Sequence, residues 1–118
     1  MGLTFSKAER LKSKKLIEQL ISEGKSVKNF PVKLHFLPVD FLENSQVAFS
    51  VPKRNFKLAV DRNRIKRQLR ESYRLHKDSL NSNNGKNFAL LFVYIGKKQP
   101  QYAELESSVK ALLKKINS

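Results

Sequence analysis

Residues 53–77 read KRNFKLAVDRNRIKRQLRESYRLHK, in which ten Lys or Arg stand against only Asp61 and Glu71. At about 100° per residue, Ile65, Leu69, Ser72, Tyr73, His76 and, just beyond the stretch, Leu80 fall on one side of a helix, and Asn63, Lys66, Arg67, Arg70, Arg74 and Lys77 fall on the other. The pattern predicts an amphipathic helix with one face for a core and one basic face. Arg67, Arg70 and Arg74 follow one another at helical spacings of three and four, where like charges repel by a few tenths of a kcal/mol per pair. A solvated face normally mixes signs. An unrelieved arginine column suits a polyanion, because guanidinium forks match phosphate oxygens two at a time. It grips a backbone without implying base recognition. A merely solubilising face and a membrane-binding face are the competing readings, and Ser72, Tyr73 and His76 on the apolar side suit a protein core better than lipid. His76 has no Cys, Asp or second His at ligand spacing, so a hydrogen-bonded histidine is expected there, not a metal ligand.

Outward from this helix, Leu16, Ile17, Leu20 and Ile21 recur at helical spacing between Ser13, a good N-cap, and Gly24, a good C-terminal stop, predicting a helix over 14–23. Val32, Leu34 and Phe36 alternate with Lys33 and His35, and Val47, Phe49 and Val51 alternate with Ala48 and Ser50, as half-buried strands do. Residues 40–45 read as a turn and 81–85, NSNNG, as a loop. Phe88 to Ile95 is apolar on both alternating sets, so it predicts a strand covered on both faces, with helices on both sides. After Pro100, Tyr102, Leu105, Val109, Leu112, Leu113 and Ile116 form the stripe of a final helix, with lysines in its second half where cations suit the helix dipole.

At 118 residues and a net charge of +14 the chain is sized for one domain, 1–118, and that self-repulsion is tolerable mainly beside a polyanion such as nucleic acid. No apolar run approaches the ~20 residues that span a bilayer, and no basic-then-apolar leader opens the chain, so a cytoplasmic protein without a membrane partner is expected. The absence of cysteine excludes disulfides, thiolate catalysis and cysteine-ligated zinc. A protein nuclease needs clustered carboxylates for divalent metal, or an acid and a base within reach of one phosphate. His35 and His76 lie on different elements, Asp61 reads as a helix N-cap and Glu71 as an arginine partner. No catalytic residue and no metal site is expected in the chain.

The run Arg62-Asn63-Arg64-Ile65-Lys66-Arg67, followed by Arg70, Glu71 and Ser72, resembles the arginine-asparagine-arginine signature helix of the bacterial ribonuclease P protein family. Val51, Lys53, Arg54, Asn55 and Ala59 resemble its strand end and basic loop, and Phe5, Arg10, Leu11, Gly24 and Ser26 match near the N-terminus. The resemblance implies an α/β (α+β) two-layer sandwich: a mixed sheet of about four strands, a short N-terminal helix, the basic helix and a C-terminal helix, with a left-handed βαβ crossover. It implies a subunit of an endoribonuclease whose catalysis is by RNA, which removes the 5′ leader of precursor tRNA using magnesium held mainly by the RNA. The implied partners are the catalytic RNA, contacted by Lys53, Arg54, Arg62, Asn63, Arg64, Lys66, Arg67, Arg70 and Arg74, and precursor tRNA. The implied leader cleft lies between the first helix and the sheet, bordered by Phe5, Ile17, Ile21, His35 and Phe36. The family often places aromatic rings where this chain has Ile17, Ile21, Val32 and His35. The alternative from the residues alone is a ribosomal or other structural RNA-binding protein.

Overall fold

The computed structural model describes residues 10–39, 45–76 and 87–117. Its elements are α1 (Lys14–Glu23), β1 (Lys25–Asn29), β2 (Val32–Val39), β3 (Gln46–Ser50), α2 (Ala59–His76), β4 (Asn87–Tyr94) and α3 (Tyr102–Asn117). The expected turn over 40–45, the loop over 81–85 and the position of Leu80 lie largely or wholly outside the described residues.

The sheet runs β1-β2-β4-β3, with β1/β2 and β2/β4 antiparallel and β3/β4 parallel. It is mixed and four-stranded, as expected, and the parallel pair is joined by a crossover through α2. β4 is central, so its two alternating sets are covered from opposite sides. Phe88, Leu90, Phe92 and Tyr94 join Val32, Leu34 and Val47 in the main core beneath α2 and α3, whereas Ala89 and Leu91 join Leu11, Leu16, Leu20 and Val39 beneath α1. This is the physical reason for the uninterrupted apolar run: from Phe88 to Phe92 both faces of β4 are buried.

β1, with the sequence KSVKN, has no counterpart among the strands read from alternation. Only Val27 packs inward against the main core, and the rest of the strand is polar. It is an edge strand with three of its residues exposed, and charge on such an edge discourages pairing with another chain. Lys115 of α3 donates its Nζ to the Lys28 carbonyl at 3.0 Å, tying the edge to the helix above it.

α1 begins where its cap predicts. Ser13 Oγ accepts from the Leu16 amide at 3.2 Å, and Gly24 donates its amide to the Leu20 carbonyl at 3.0 Å. A β-carbon at Gly24 would collide with that carbonyl and lie 2.9 Å from the Phe36 carbonyl, so only glycine lets the chain turn so closely from helix into β1. Ser13→Ala is expected to cost about 1 kcal/mol, read as a lower urea midpoint with an unchanged m-value.

In α2, Ile65, Leu69, Ser72 and Tyr73 are buried, the face expected from periodicity. Ser72 Oγ donates to the Gln68 carbonyl at 2.9 Å, which satisfies a hydroxyl that would otherwise be stranded in the core. Asp61 is not the cap. The helix starts two residues earlier, at Ala59, so Asp61 sits in the first turn, where its charge still favours the dipole.

Candidate nucleic-acid interface

The loop entering α2 is folded around its own first arginine. Phe56 is buried against Tyr94, ring centroids 5.9 Å apart, and Arg62 donates Nη1 to the carbonyls of Phe56 at 2.7 Å and Lys57 at 2.9 Å. Arg62 therefore holds the loop that presents Lys53 and Arg54. Arg62 is half-buried, and its Nη1 is engaged with the loop's own carbonyls. Lys53 and Arg54 themselves are exposed.

Asn63, Arg64 and Arg67 are exposed along the outer face of α2, and Lys66 and Arg70 are half-buried at its side. Arg74 departs from the expected open column. Its Nε donates to Glu71 Oε2 at 3.1 Å and its Nη2 pairs with Glu71 Oε1, holding the Glu71 carboxyl below the usual carboxylate range chiefly through that hydrogen bond. Glu71 and Arg74 are three residues apart on one face, so the helix closes the pair locally. Arg70 also acts on this carboxylate through its charge, so the acid relieves the C-terminal part of the column and Arg67 is left outward.

Arg70 faces a groove of about 290 Å3 that it shares with Arg10, Leu11, Lys12, Val47, Ala48 and Phe49. Leu11 donates its amide to the Val47 carbonyl at 2.9 Å, so the segment before α1 lies along the open edge of β3. Arg10 and Lys12, two apart in an extended segment, flank Leu11 there. Neither is singled out as an RNA contact by the sequence pattern alone; their period-2 spacing around a buried leucine is the signal that could have found them. The groove carries positive side chains from the α2 side of the sheet around its edge toward α1.

On the α1 side, Ile17 packs against the smaller core, Ile21 is 56% exposed, and His35 is half-buried. His35 pairs across the sheet with Ser26 and Leu91, beside a row formed by Lys28, Lys33, Val93 and Ser50. Burial first, and then the charge of Lys33, push the imidazole below its ordinary pKa, so at neutral pH it offers an uncharged ring. Phe36 does not border this side. It alternates with His35, points to the other face, and meets Phe88 edge-on with centroids 6.3 Å apart beside the main core. Phe5 lies outside the described residues.

His76 forms the hydrogen bond expected of it, Nε2 to Glu106 Oε2 at 3.2 Å, linking α2 to α3. Among the described residues no group of three or more His, Cys, Asp or Glu that could hold a metal ion stands together. Among them, too, no helix is long and apolar enough to cross a membrane.

A four-stranded mixed sheet with a cationic helix laid over one face and a short capped helix on the other defines a small basic α+β domain built to meet a polyanion. The ribonuclease P family model matches residues 5–117. The chain is 36% identical over 110 residues to the ribonuclease P protein component of Caldanaerobacter subterraneus subsp. tengcongensis, covering 92% of this chain and 90% of that one. It is 34% identical to that of Chlorobium phaeobacteroides, covering 96% and 88%. The solved structure of the Staphylococcus aureus RNase P protein superposes with a TM-score of 0.79 at 23% identity, covering 93% of this chain and 96% of that one. The Thermotoga maritima RNase P protein gives 0.77 at 23%, covering 93% and 99%. The chain belongs to the ribonuclease P protein family.

Proposed function

We propose that this chain is the protein subunit of a ribonuclease P ribonucleoprotein, binding the catalytic RNA along α2 and the 5′ leader of precursor tRNA beside α1. The observation that carries the reading is the outer face of α2, where Asn63, Arg64 and Arg67 stand exposed while the nearby acid, Glu71, is taken by Arg74. Two RNAs brought together repel, and cations placed between them lower that cost while releasing counterions. The groove of Arg10, Lys12 and Arg70 gives the two surfaces a common positive edge. Magnesium belongs to the RNA in this reading, and the protein contributes grip and charge, not an acid, a base or a nucleophile.

The test is reconstitution. Protein alone with magnesium should leave precursor tRNA uncut; protein plus the structured catalytic RNA should release the leader at a magnesium concentration where that RNA alone is slow. Cleavage by an RNA-free preparation, abolished by changing one carboxylate or histidine, would sink the assignment.

The α1 side gives a sharper prediction. Ile21 is the exposed position and Ile17 the packed one, so Ile21→Phe should add a stacking ring without strain, whereas Ile17→Phe should overpack the smaller core by about 1–3 kcal/mol. Ile21→Phe is expected to raise the precursor-to-mature tRNA affinity ratio severalfold at an unchanged melting temperature. An unchanged ratio in a stable variant would mean the leader runs elsewhere.

A further inference from the structure

At the end of the molecule away from α1's cap, the β1–β2 turn and the β4–α3 loop enclose a cavity of about 590 Å3 lined by Phe30, Pro31, Tyr94, residues 95–101 and Glu104. We infer that this cavity receives a single unpaired guanosine of an RNA, stacked on Phe30, with its phosphate near Lys97 and Lys98 and its base edge read by Glu104. The inference rests on the RNA-binding reading above and adds to it a site and a base preference.

Phe30 is 68% exposed, a large ring kept in water although its backbone is held firmly. Ser108 Oγ donates to the Phe30 carbonyl at 3.2 Å, and Ile95 donates its amide to the Pro31 carbonyl at 2.8 Å. A ring that is fixed at its root and open on its face is a stacking platform needing little reorganisation, and every base has a π-face to lay on it.

The opposite wall is equally formed. Tyr94 donates its hydroxyl to the Lys98 carbonyl at 2.6 Å, and Gln99 Nε2 donates to the Asp61 carbonyl at 3.2 Å. At Gly96 the loop passes so close to the Tyr94 ring that a β-carbon would stand 2.5 Å from the hydroxyl oxygen. The Gln99 hydrogen bond joins this loop to the first turn of α2, so the cavity adjoins the start of the basic helix, two residues from Asn63. The volume lies within the range of small-ligand sites, about 300–1,000 Å3.

Lys97 and Lys98 are exposed at the rim, suited to a phosphate. Glu104 is also exposed, and among the described residues its carboxylate enters no ion pair. Its charge is felt at Tyr94, whose hydroxyl is raised in pKa first by burial and then by this carboxylate. A carboxylate accepts at two oxygens side by side. Guanine alone presents two adjacent donors on one edge, N1–H and N2–H2; adenine and cytosine each set a ring-nitrogen acceptor beside an amino donor, and uracil offers one N–H between two carbonyl acceptors.

The experiment uses the full chain and four labelled pentaribonucleotides, UUGUU, UUAUU, UUCUU and UUUUU, titrated by fluorescence anisotropy, with backbone amide shifts followed in parallel. UUGUU should bind about tenfold more tightly than UUAUU and move the amides of Gly96, Lys97, Lys98 and Gln99. Phe30→Ala should weaken all four about five- to tenfold, with Phe30→Tyr restoring binding, because stacking is indifferent to base. Glu104→Gln should erase the guanosine preference and leave UUUUU unchanged. No binding, no preference in the wild type, a preference that survives Glu104→Gln, or shifts confined to the α1 side would each overturn the inference. Those outcomes in a protein that still binds the catalytic RNA remove the pocket alone; failure to bind that RNA removes the proposed function itself.

Discussion

Phe92→Ala is expected to lower the unfolding free energy by about 3–5 kcal/mol, a large share of the roughly 5–15 kcal/mol that holds a domain of this size together. Phe92 is fully buried in the middle of β4, opposite Leu34 on one side and Phe49 on the other. Its ring stacks on Phe49 with centroids 5.7 Å apart and interplanar angle 15°, and meets Tyr73 of α2 at 6.0 Å and 61°. Truncation removes the hydrophobic transfer term and opens a cavity between sheet and helix, where regular structure on both sides limits collapse. It also removes two ring–ring interactions worth about 0.5–1.5 kcal/mol each beyond area. Urea unfolding should show the loss directly, and the melting temperature should fall by roughly ten degrees or more. A change below about 1 kcal/mol would mean that the core is not organised around this ring. RNA affinity of the remaining folded fraction should be unaltered, which separates stability from binding.

Arg67→Ala combined with Arg70→Ala is expected to do the opposite: leave folding nearly intact and weaken binding to the catalytic RNA about ten- to a hundredfold at moderate salt. Arg67 is exposed and Arg70 lines the groove beside β3, so neither anchors the core. Removing one arginine–phosphate pairing flattens the slope of log affinity against log salt by roughly 0.7–0.9, so the double variant should lose about 1.5 from the slope. Arg74→Ala should change the slope less, because its guanidinium is already paired with Glu71. Arg62→Ala should act mainly through the loop it holds at Phe56 and Lys57, lowering stability as well as affinity. An unaltered slope in the Arg67, Arg70 variant would place the RNA on another surface.

Much of this architecture was legible in the residues, and the parts that were not have specific causes. α1 was readable to its ends because Ser13 and Gly24 mark them chemically. β4 was readable because its burial on both faces leaves an unbroken apolar run, and α2 because its apolar and basic residues separate at helical period. β1 was not, since an edge strand with one inward valine carries no alternation. Phe36 was misplaced for a related reason: alternation says that His35 and Phe36 face opposite ways, but not which face α1 covers. The arginines differ in the same manner. Identical side chains in one basic run divide into Arg62, turned to two loop carbonyls, Arg74, closed on Glu71, and Arg67, left outward.

The sequence by itself determined the helix periods, the two-sided strand, the positive balance and the resemblance of its arginine-asparagine-arginine run, because each is a property of residue type and spacing along the chain. Only the tertiary structure decided the strand order, which arginines face outward, the seating of Arg10 and Lys12 on the β3 edge, and the cavity that joins Phe30 to Glu104. Those depend on contacts between residues as far apart as Phe30 and Ser108, and a local pattern carries no record of which distant partner will satisfy a carbonyl, a charge or an apolar face.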